Sequence, residues 1–223
     1  MATKSSIKEM FENAVHVGHR TQKWNPRMKK YLFGEKSGVH VINLEHTVTM
    51  LEDALQFLSK LSKEGKKVLF ISTKPQSLKL VEEAAKSANM PYVVSRWIPG
   101  LLTNFKTIKA RVKYLTDLEE QEASGEFEKF TKKEANTLKK QIVKLKASLG
   151  GVQNLSDLPD AVFVVDVVRD KIAVQESIKM KIPVVALVDS NADPSGIAYP
   201  IPANDDALKS LSYMTEKVSS ACK

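Results

Sequence analysis

The sequence contains a single cysteine, Cys222, among 223 residues. One cysteine forms neither an internal disulfide nor a cysteine-based zinc site, so the chain is typical of a protein from a reducing compartment. No apolar run approaches the ~20 residues that a membrane-spanning helix needs, and residues 1–6 contain no apolar signal core. We therefore expect a cytoplasmic protein.

The chain also lacks the glycine-rich loops that hold nucleotide phosphates in many enzymes, because it has no GxGxxG and no Walker-type sequence. The turn Ser72-Thr73-Lys74-Pro75, which follows an apolar segment, contains no glycine. No serine lies in a GxSxG elbow. Catalytic residues are therefore not expected, although a nucleotide- or metal-dependent enzyme is the alternative hypothesis, since doubly wound sheets often bind ligands at their strand ends.

Acidic side chains collect where such a site would lie, after the later strand candidates. They are Asp166, Asp189, Asp193, Asp205 and Asp206. Together with His16 or His19 they have the ligand chemistry of a divalent-cation site, whereas Asp205 has a simpler role available as a helix cap. We interpret His40 and His46 as structural. No HExxH-like spacing supports a metal site, so we expect no cofactor, while the sequence leaves open whether these acids hold an ion.

Acids are nevertheless outnumbered: 34 lysines and arginines against 26 aspartates and glutamates give a formal net charge of +8. Such an excess attracts polyanions, chiefly nucleic acid or an anionic membrane surface. Residues 15–38, punctuated by glycine and proline, are predicted to be a strongly cationic surface loop, which we call the cationic arm. A second group of cations begins beside Trp97, which we expect to pack in the core.

Lysine and arginine neutralise phosphates, and exposed aromatic rings stack on bases or sugars. The residues predicted to bind RNA are Arg20, Lys23, Trp24, Arg27, Lys29, Lys30, Lys74, Arg96, Asn104, Lys106, Lys109, Arg111 and Lys113.

Short apolar segments alternate with amphipathic ones, which is typical of an α/β fold with a parallel sheet between two layers of helices. Strands are predicted at residues 39–43, 67–71, 92–94, 161–165 and 184–188, with a last one near 199–201. Helices are predicted at residues 45–63, ending before Gly65, and at about 170–180 and 205–218. Ser6 is predicted to cap a short first helix.

Residues 106–149 are too polar for a core and carry narrow apolar stripes on either side of Ala123-Ser124-Gly125. This pattern predicts an antiparallel helical hairpin of coiled-coil type, inserted after the third strand, with Thr103 or Asn104 capping its first helix. The predicted domains are a sheet domain, residues 1–105 and 150–223, and the hairpin, residues 106–149.

Seven separated motifs in order resemble the bacterial ribosomal protein S2 family, of the small ribosomal subunit. They are Gly18-His19-Arg20, Trp24-Asn25-Pro26-Arg27-Met28, Ile42-Asn43-Leu44, Arg96-Trp97 with Gly100-Leu101-Leu102-Thr103-Asn104, Leu149-Gly150-Gly151, Leu158-Pro159-Asp160-Ala161 and Pro202-Ala203-Asn204-Asp205-Asp206. The resemblance runs nearly from end to end.

The resemblance implies a non-catalytic component of the small ribosomal subunit with a flavodoxin-like, doubly wound sheet of about five strands and a protruding hairpin. It implies binding to ribosomal RNA between head and body, and neighbouring ribosomal proteins as partners, including the large mRNA-capturing protein S1. No membrane and no small-molecule substrate are expected. A protein-only adaptor that uses the hairpin is a third hypothesis.

Overall fold

The computed structural model describes residues 7–223, apart from the side chain of Glu128. The predicted cap Ser6 lies outside the described residues. The helices and strands are, in chain order, α1 (Ile7–Glu12), β1 (Val17–Arg20), β2 (Leu32–Lys36), β3 (Val39–Ile42), α2 (Leu44–Lys63), β4 (Val68–Ile71), α3 (Leu78–Ser87), β5 (Tyr92–Val93), α4 (Phe105–Ala123), α5 (Lys132–Leu149), β6 (Ala161–Val164), α6 (Lys171–Lys179), β7 (Val184–Val188), β8 (Tyr199–Pro202) and α7 (Leu208–Ala221). Short 3-10 helices occupy Thr21–Lys23, Pro26–Tyr31, Glu126–Lys129 and Gly150–Val152.

Five parallel strands form the main sheet in the order β5-β4-β6-β7-β8. Numbered among themselves, these strands run 2-1-3-4-5, which is the flavodoxin-like order, with its switch point between β4 and β6. The predicted α/β fold class is therefore confirmed.

The continuous apolar strands are explained by burial on both sheet faces. Alternate residues of a strand point to opposite faces, so Phe70 joins a cluster with helices α2, α3 and α7, whereas Leu69 joins one with α4, α5 and α6. At the centre Phe70 and Phe163 meet edge to face, with ring centroids 5.4 Å apart. Both helical layers thus cover the sheet as the periodicity predicts.

The cationic arm is not a loop, and here the prediction is wrong. Strands β1, β3 and β2 form a separate three-stranded antiparallel sheet, so residues 39–42 do not belong to the main sheet. The turn between β2 and β3 is Ser37-Gly38, with φ of 53° and 74°. Two consecutive positive φ angles are typical of the tight hairpin turns that join antiparallel strands. The hairpin insertion accordingly follows the second, not the third, strand of the main sheet.

Helices α4 and α5 run antiparallel, as their cross-helix contacts show. The Nζ of Lys139 lies 3.9 Å from Glu122, and that of Lys146 lies 2.7 Å from Glu119. Their buried stripe, which includes Leu115 and Ile142, is continuous with the apolar cluster on one face of the main sheet. The domain division at residues 106–149 stays a prediction.

Local signals account for several element ends. Asn43 Oδ1 accepts a hydrogen bond from the Glu45 amide at the start of α2, and Gly65 has a φ of 69° just beyond the end of that helix, as predicted. Thr131 and Glu134 form a capping box at the start of α5. No helix within residues 7–223 combines the length and the apolar character needed to cross a membrane.

Candidate nucleic-acid interface

The carboxyl ends of the parallel strands, where flavodoxin-like folds bind ligands, are occupied by the chain's own side chains. Lys74 follows β4 and is only 6% exposed. Its Nζ lies 2.6 Å from Asp206, 2.8 Å from Asp205 and 3.3 Å from Asp166. An ammonium group thus sits among the acids that the sequence placed at this edge.

The charges in this cluster alter one another's protonation. Burial alone would lower the pKa of Lys74, but hydrogen bonds to Asp205 and Asp206 and the charges of Asp205 and Asp166 raise it above that of an ordinary lysine. Burial, followed by repulsion from Asp189 and Asp166, raises the pKa of Asp205 to about 7. Lys74 therefore stays charged and compensates part of a dense acidic site.

His19 connects the cationic arm to the same edge. Its Nδ1 lies 3.2 Å from Asp189 and its Nε2 lies 3.2 Å from Asp206. The hydrogen bond to Asp189 is the main reason that the pKa of His19 is raised. The His19 amide also donates to Ser190 Oγ at 2.8 Å, so side chain and backbone both fix β1 there.

Backbone contacts extend this attachment along the arm. The Asn25 amide donates to the Ser190 carbonyl at 2.8 Å, and the Asn204 amide donates to the Val15 carbonyl at 3.0 Å. At Gly18 an added Cβ would lie 2.9 Å from Ser190 Oγ and 3.0 Å from the His40 carbonyl. This glycine is therefore required for the close approach of β1 to the loop after β7.

Only some of the residues predicted as possible metal ligands lie close together. The possible metal-ligating atoms of His19, Asp205 and Asp206 lie within 4.8 Å of one another. His16 instead stacks on Phe11, and Asp193 pairs with Arg27. A divalent ion on the converging atoms would compete with Lys74, whose ammonium already contacts both aspartates.

The arm's other predicted RNA-binding residues lie around this anchor, and Arg20, Lys23, Arg27, Lys29 and Lys30 are all exposed. Arg27 pairs with Asp193, and Lys30 Nζ lies 4.7 Å from the centre of the Tyr31 ring. Trp24 is half-buried against His40, with ring centroids 5.1 Å apart. The buried Met28 and Tyr31 hold the intervening 3-10 helix in the core.

The second predicted group surrounds the start of α4. Arg96, Asn104, Lys106, Lys109, Arg111 and Lys113 are exposed, and we call this set the hairpin base. Lys109 Nζ donates to the Ser156 carbonyl at 2.8 Å. Asn104 is the residue before α4, but neither its side chain nor that of Thr103 accepts a helix amide: Asn104 Oδ1 accepts from the Thr107 hydroxyl instead. The predicted cap is therefore wrong in its mechanism.

Trp97 is 6% exposed, as expected for a core anchor, and its partner is a residue that the sequence reasoning missed. The buried Glu176 of α6 accepts hydrogen bonds from Trp97 Nε1 at 3.1 Å and from the Gly100 amide at 2.7 Å. Its other oxygen accepts from the Leu102 amide and from the amide and hydroxyl of Thr103. Burial opposes ionisation, but these hydrogen bonds together lower the pKa of Glu176.

Glu176 therefore fixes the segment that leads into the hairpin base. A signal for it exists in the sequence, because Glu176 falls three residues after Ala173 on the buried side of an amphipathic helix. A lone acid on an apolar stripe requires hydrogen-bond donors around it.

The main sheet is flavodoxin-like, but Lys74 and His19 fill the edge where such sheets bind ligands, and exposed lysines and arginines lie beside that edge. These features define a basic scaffold protein. The family described as Ribosomal protein S2 matches residues 10–223, so the chain belongs to the ribosomal protein S2 family. It is a structural ribosomal protein rather than an enzyme, and the enzyme hypothesis is rejected.

Individual relatives cover nearly the whole chain. It is 46% identical over 217 residues to the small ribosomal subunit protein uS2 of Hahella chejuensis, covering 97% of this chain and 86% of the relative. It is 47% identical over 221 residues to the uS2 protein of Shewanella piezotolerans, covering 99% and 91%. The uS2 protein of Saccharophagus degradans is 45% identical over 217 residues, covering 97% and 88%.

Proposed function

We propose that this protein is a structural component of the small ribosomal subunit that binds ribosomal RNA between head and body and thereby supports translation. Its proposed partners are that RNA and neighbouring small-subunit proteins, including the mRNA-capturing protein S1. The names of its relatives support the small-subunit assignment.

The observation that carries the proposed RNA binding is the group of exposed lysines and arginines on the cationic arm, whose backbone is fixed to the rest of the protein. Among the side chains that the structure describes, Arg20, Lys23 and Lys29 have no carboxylate at ion-pair distance. The backbone between them is fixed by Met28 in the core and by the Asn25 contact to Ser190. Fixed, uncompensated cations favour phosphate binding at a low cost in conformational entropy.

The hairpin base supplies the second proposed surface, through Arg96, Lys106, Arg111 and Lys113. Lys109 and Arg27 belong to the two surfaces but are already engaged by Ser156 and Asp193. Lys74 was predicted to bind RNA, but its buried ammonium group faces three aspartates, so we leave it out of the proposed surface.

Recognition is proposed to rest on phosphate neutralisation and shape rather than on base reading. Lysine and arginine side chains on exposed helices contact phosphates without reading sequence. Trp24, the aromatic residue predicted for stacking, is partly covered by His40.

The test is binding of the purified protein to small-subunit particles that lack it, followed by sedimentation at increasing salt. Wild-type protein is expected to co-sediment at low salt and to dissociate steeply as salt rises. The triple variant K23Q/K29Q/K30Q is expected to lower the log–log salt slope by about two to three, from roughly 0.7 to 0.9 per phosphate.

The matched control is K79Q/K179Q/K209Q, which removes three exposed lysines elsewhere and should leave the slope near that of wild type. Equal losses in both variants, or a flat salt dependence of the wild type, would contradict the proposal. A second comparison tests the protein-only adaptor hypothesis. If deletion of residues 106–148 abolished association while the arm variant still associated like wild type, the protein would be an adaptor that uses the hairpin.

A further inference from the structure

The segment from Trp97 to Thr103 surrounds one carboxylate with hydrogen-bond donors, and we call it the entry loop because it leads into α4. Glu176 Oε1 accepts from the Trp97 indole at 3.1 Å and from the Gly100 amide at 2.7 Å. Its Oε2 accepts from the Leu102 and Thr103 amides, both at 3.1 Å, and from the Thr103 hydroxyl at 3.0 Å. Donors from four residues of one short loop therefore meet at the two oxygens of one anion.

All of these donors are uncharged N–H or O–H groups. Among the side chains that the structure describes, no lysine, arginine or histidine lies at ion-pair distance from Glu176. Within residues 7–223, none of the Gly100, Leu102 and Thr103 amides donates to a backbone carbonyl. Backbone amides that converge without a carbonyl acceptor form the concave sites by which proteins bind anions. The carboxylate is therefore held as a ligand of the entry loop and not as half of an ion pair.

The entry loop takes its shape from contacts that do not involve Glu176. Leu101 and Leu102 are fully buried, and Gly100 has a φ of 91°, which glycine adopts without strain. The Leu101 amide donates to the Ile98 carbonyl at 3.0 Å, and the Asn104 amide donates to the Gly100 carbonyl at 2.7 Å. These contacts hold the loop backbone in place, so the donors should stay directed at the same point when the carboxylate is removed.

The bound carboxylate lies near solvent. Glu176 is 8% exposed, whereas Gly100 is half-buried and Thr103 is exposed. Replacement of Glu176 by alanine removes a CH2COO− group, which has the same heavy atoms as acetate. The hole left in that variant therefore has the size and the donors for one small carboxylate.

We infer that the entry loop is a carboxylate-binding site whose ligand is supplied by α6, and that this bound anion latches the start of the hairpin to α6. The donors and Glu176 are 73 to 79 positions apart, so the latch joins remote parts of the chain. A site that recognises the anion itself should accept a free carboxylate when residue 176 lacks one. The inference does not rest on the proposed function.

The test is urea unfolding of Glu176→Ala at pH 7, with acetate as the probe and chloride at the same ionic strength as the reference. The variant is expected to be less stable than wild type in chloride, and acetate should restore part of the loss. With a dissociation constant of about 10 mM, acetate at about 100 mM would raise the folding equilibrium constant about tenfold. Hydrogen exchange at the Gly100, Leu102 and Thr103 amides should slow in acetate, which places the effect in the entry loop.

Two proteins and one neutral compound serve as controls. Wild type, whose loop is filled, and Glu83→Ala, which removes an exposed carboxylate of α3, should gain no more from acetate than from chloride. Acetamide has the shape of acetate without its charge and should not stabilise Glu176→Ala. Equal gains in all three proteins, no gain in Glu176→Ala, or an equal effect of acetamide would each overturn the inference.

A refolding experiment replaces the titration if Glu176→Ala is unfolded in chloride. The variant is then diluted from urea into acetate and into chloride, and the folded fraction is measured by circular dichroism. Folding in acetate alone supports the inference, and the same folded fraction in both salts overturns it.

Discussion

Replacing Glu176 by glutamine is expected to destabilise the protein strongly while changing only one atom of the side chain. In the structure one carboxylate oxygen accepts from Trp97 and Gly100, and the other accepts from Leu102 and twice from Thr103. Glutamine keeps one accepting oxygen, and its NH2 group would face backbone amides that also donate. At least two buried or half-buried donors would lose their acceptor.

Each unsatisfied buried donor costs about 1–3 kcal/mol, so the free energy of unfolding should fall by about 2–4 kcal/mol at pH 7, after a discount for the partly exposed donors. The lowered pKa of Glu176 means that the carboxylate's stabilisation is present above the unfolded-state pKa, near 4.5. It is lost as the pH falls through the lower folded-state pKa. The difference between wild type and variant should therefore shrink in acid.

Urea unfolding followed by tryptophan fluorescence and by circular dichroism measures this difference, and hydrogen exchange at residues 100–103 localises it. Glu83→Gln, an exposed glutamate on α3, is the control and should change stability by less than about 0.5 kcal/mol. An E176Q variant as stable as the control at pH 7 would refute the account of this carboxylate as the acceptor that fixes the entry to the hairpin.

Lys74→Met should lower the free energy of unfolding by about 3–5 kcal/mol, because it leaves buried carboxylates uncompensated. Urea unfolding should show that this loss shrinks from pH 8 to pH 5 as those acids take up protons, and a loss independent of pH would contradict the prediction. Because the pKa of His19 is raised, the stabilisation by its charged form is fully present below pH ~6.5 and is lost as the pH rises through the folded-state pKa. Hydrogen-exchange protection of residues 17–20 should therefore fall between pH 6 and 8.5, and H19Q should remove that pH dependence. Gly151→Ala would place a Cβ 2.1 Å from the Tyr92 carbonyl oxygen and should lower stability by about 3 kcal/mol, whereas Gly34→Ala, with no atom within 4 Å, should be nearly neutral in the same thermal unfolding assay.

Periodicity in the sequence was sufficient for most elements and for the fold class, since burial on one or both faces leaves a pattern within each segment. It was insufficient for β3, because an apolar strand does not encode which sheet it joins. The Ser37-Gly38 turn was the available signal for the small antiparallel sheet, and it indicated local pairing with β2.

The site was less predictable because its contacts join distant parts of the chain. Lys74 and Asp205 are 131 positions apart, and Trp97 and Glu176 are 79 positions apart. Charge counts identified the acids at the sheet edge and the cations of the arm. They could not show that Lys74 would be turned inward toward the acids, nor that the Thr103 amide would be held by a carboxylate.

The attachment of β1 to the sheet edge has a consequence for biosynthesis. The His19 amide bonds to a side chain 171 positions later, and Asn204 bonds to carbonyls of β1 and the residues before it. A ribosome making this chain releases the cationic arm early, but the residues after β7 and β8 that bond to β1 emerge 171 and 187 residues later. Contacts of such separation form late in folding. The arm's cations therefore reach their final arrangement only when synthesis is nearly finished, so incomplete chains do not carry the assembled cationic surface.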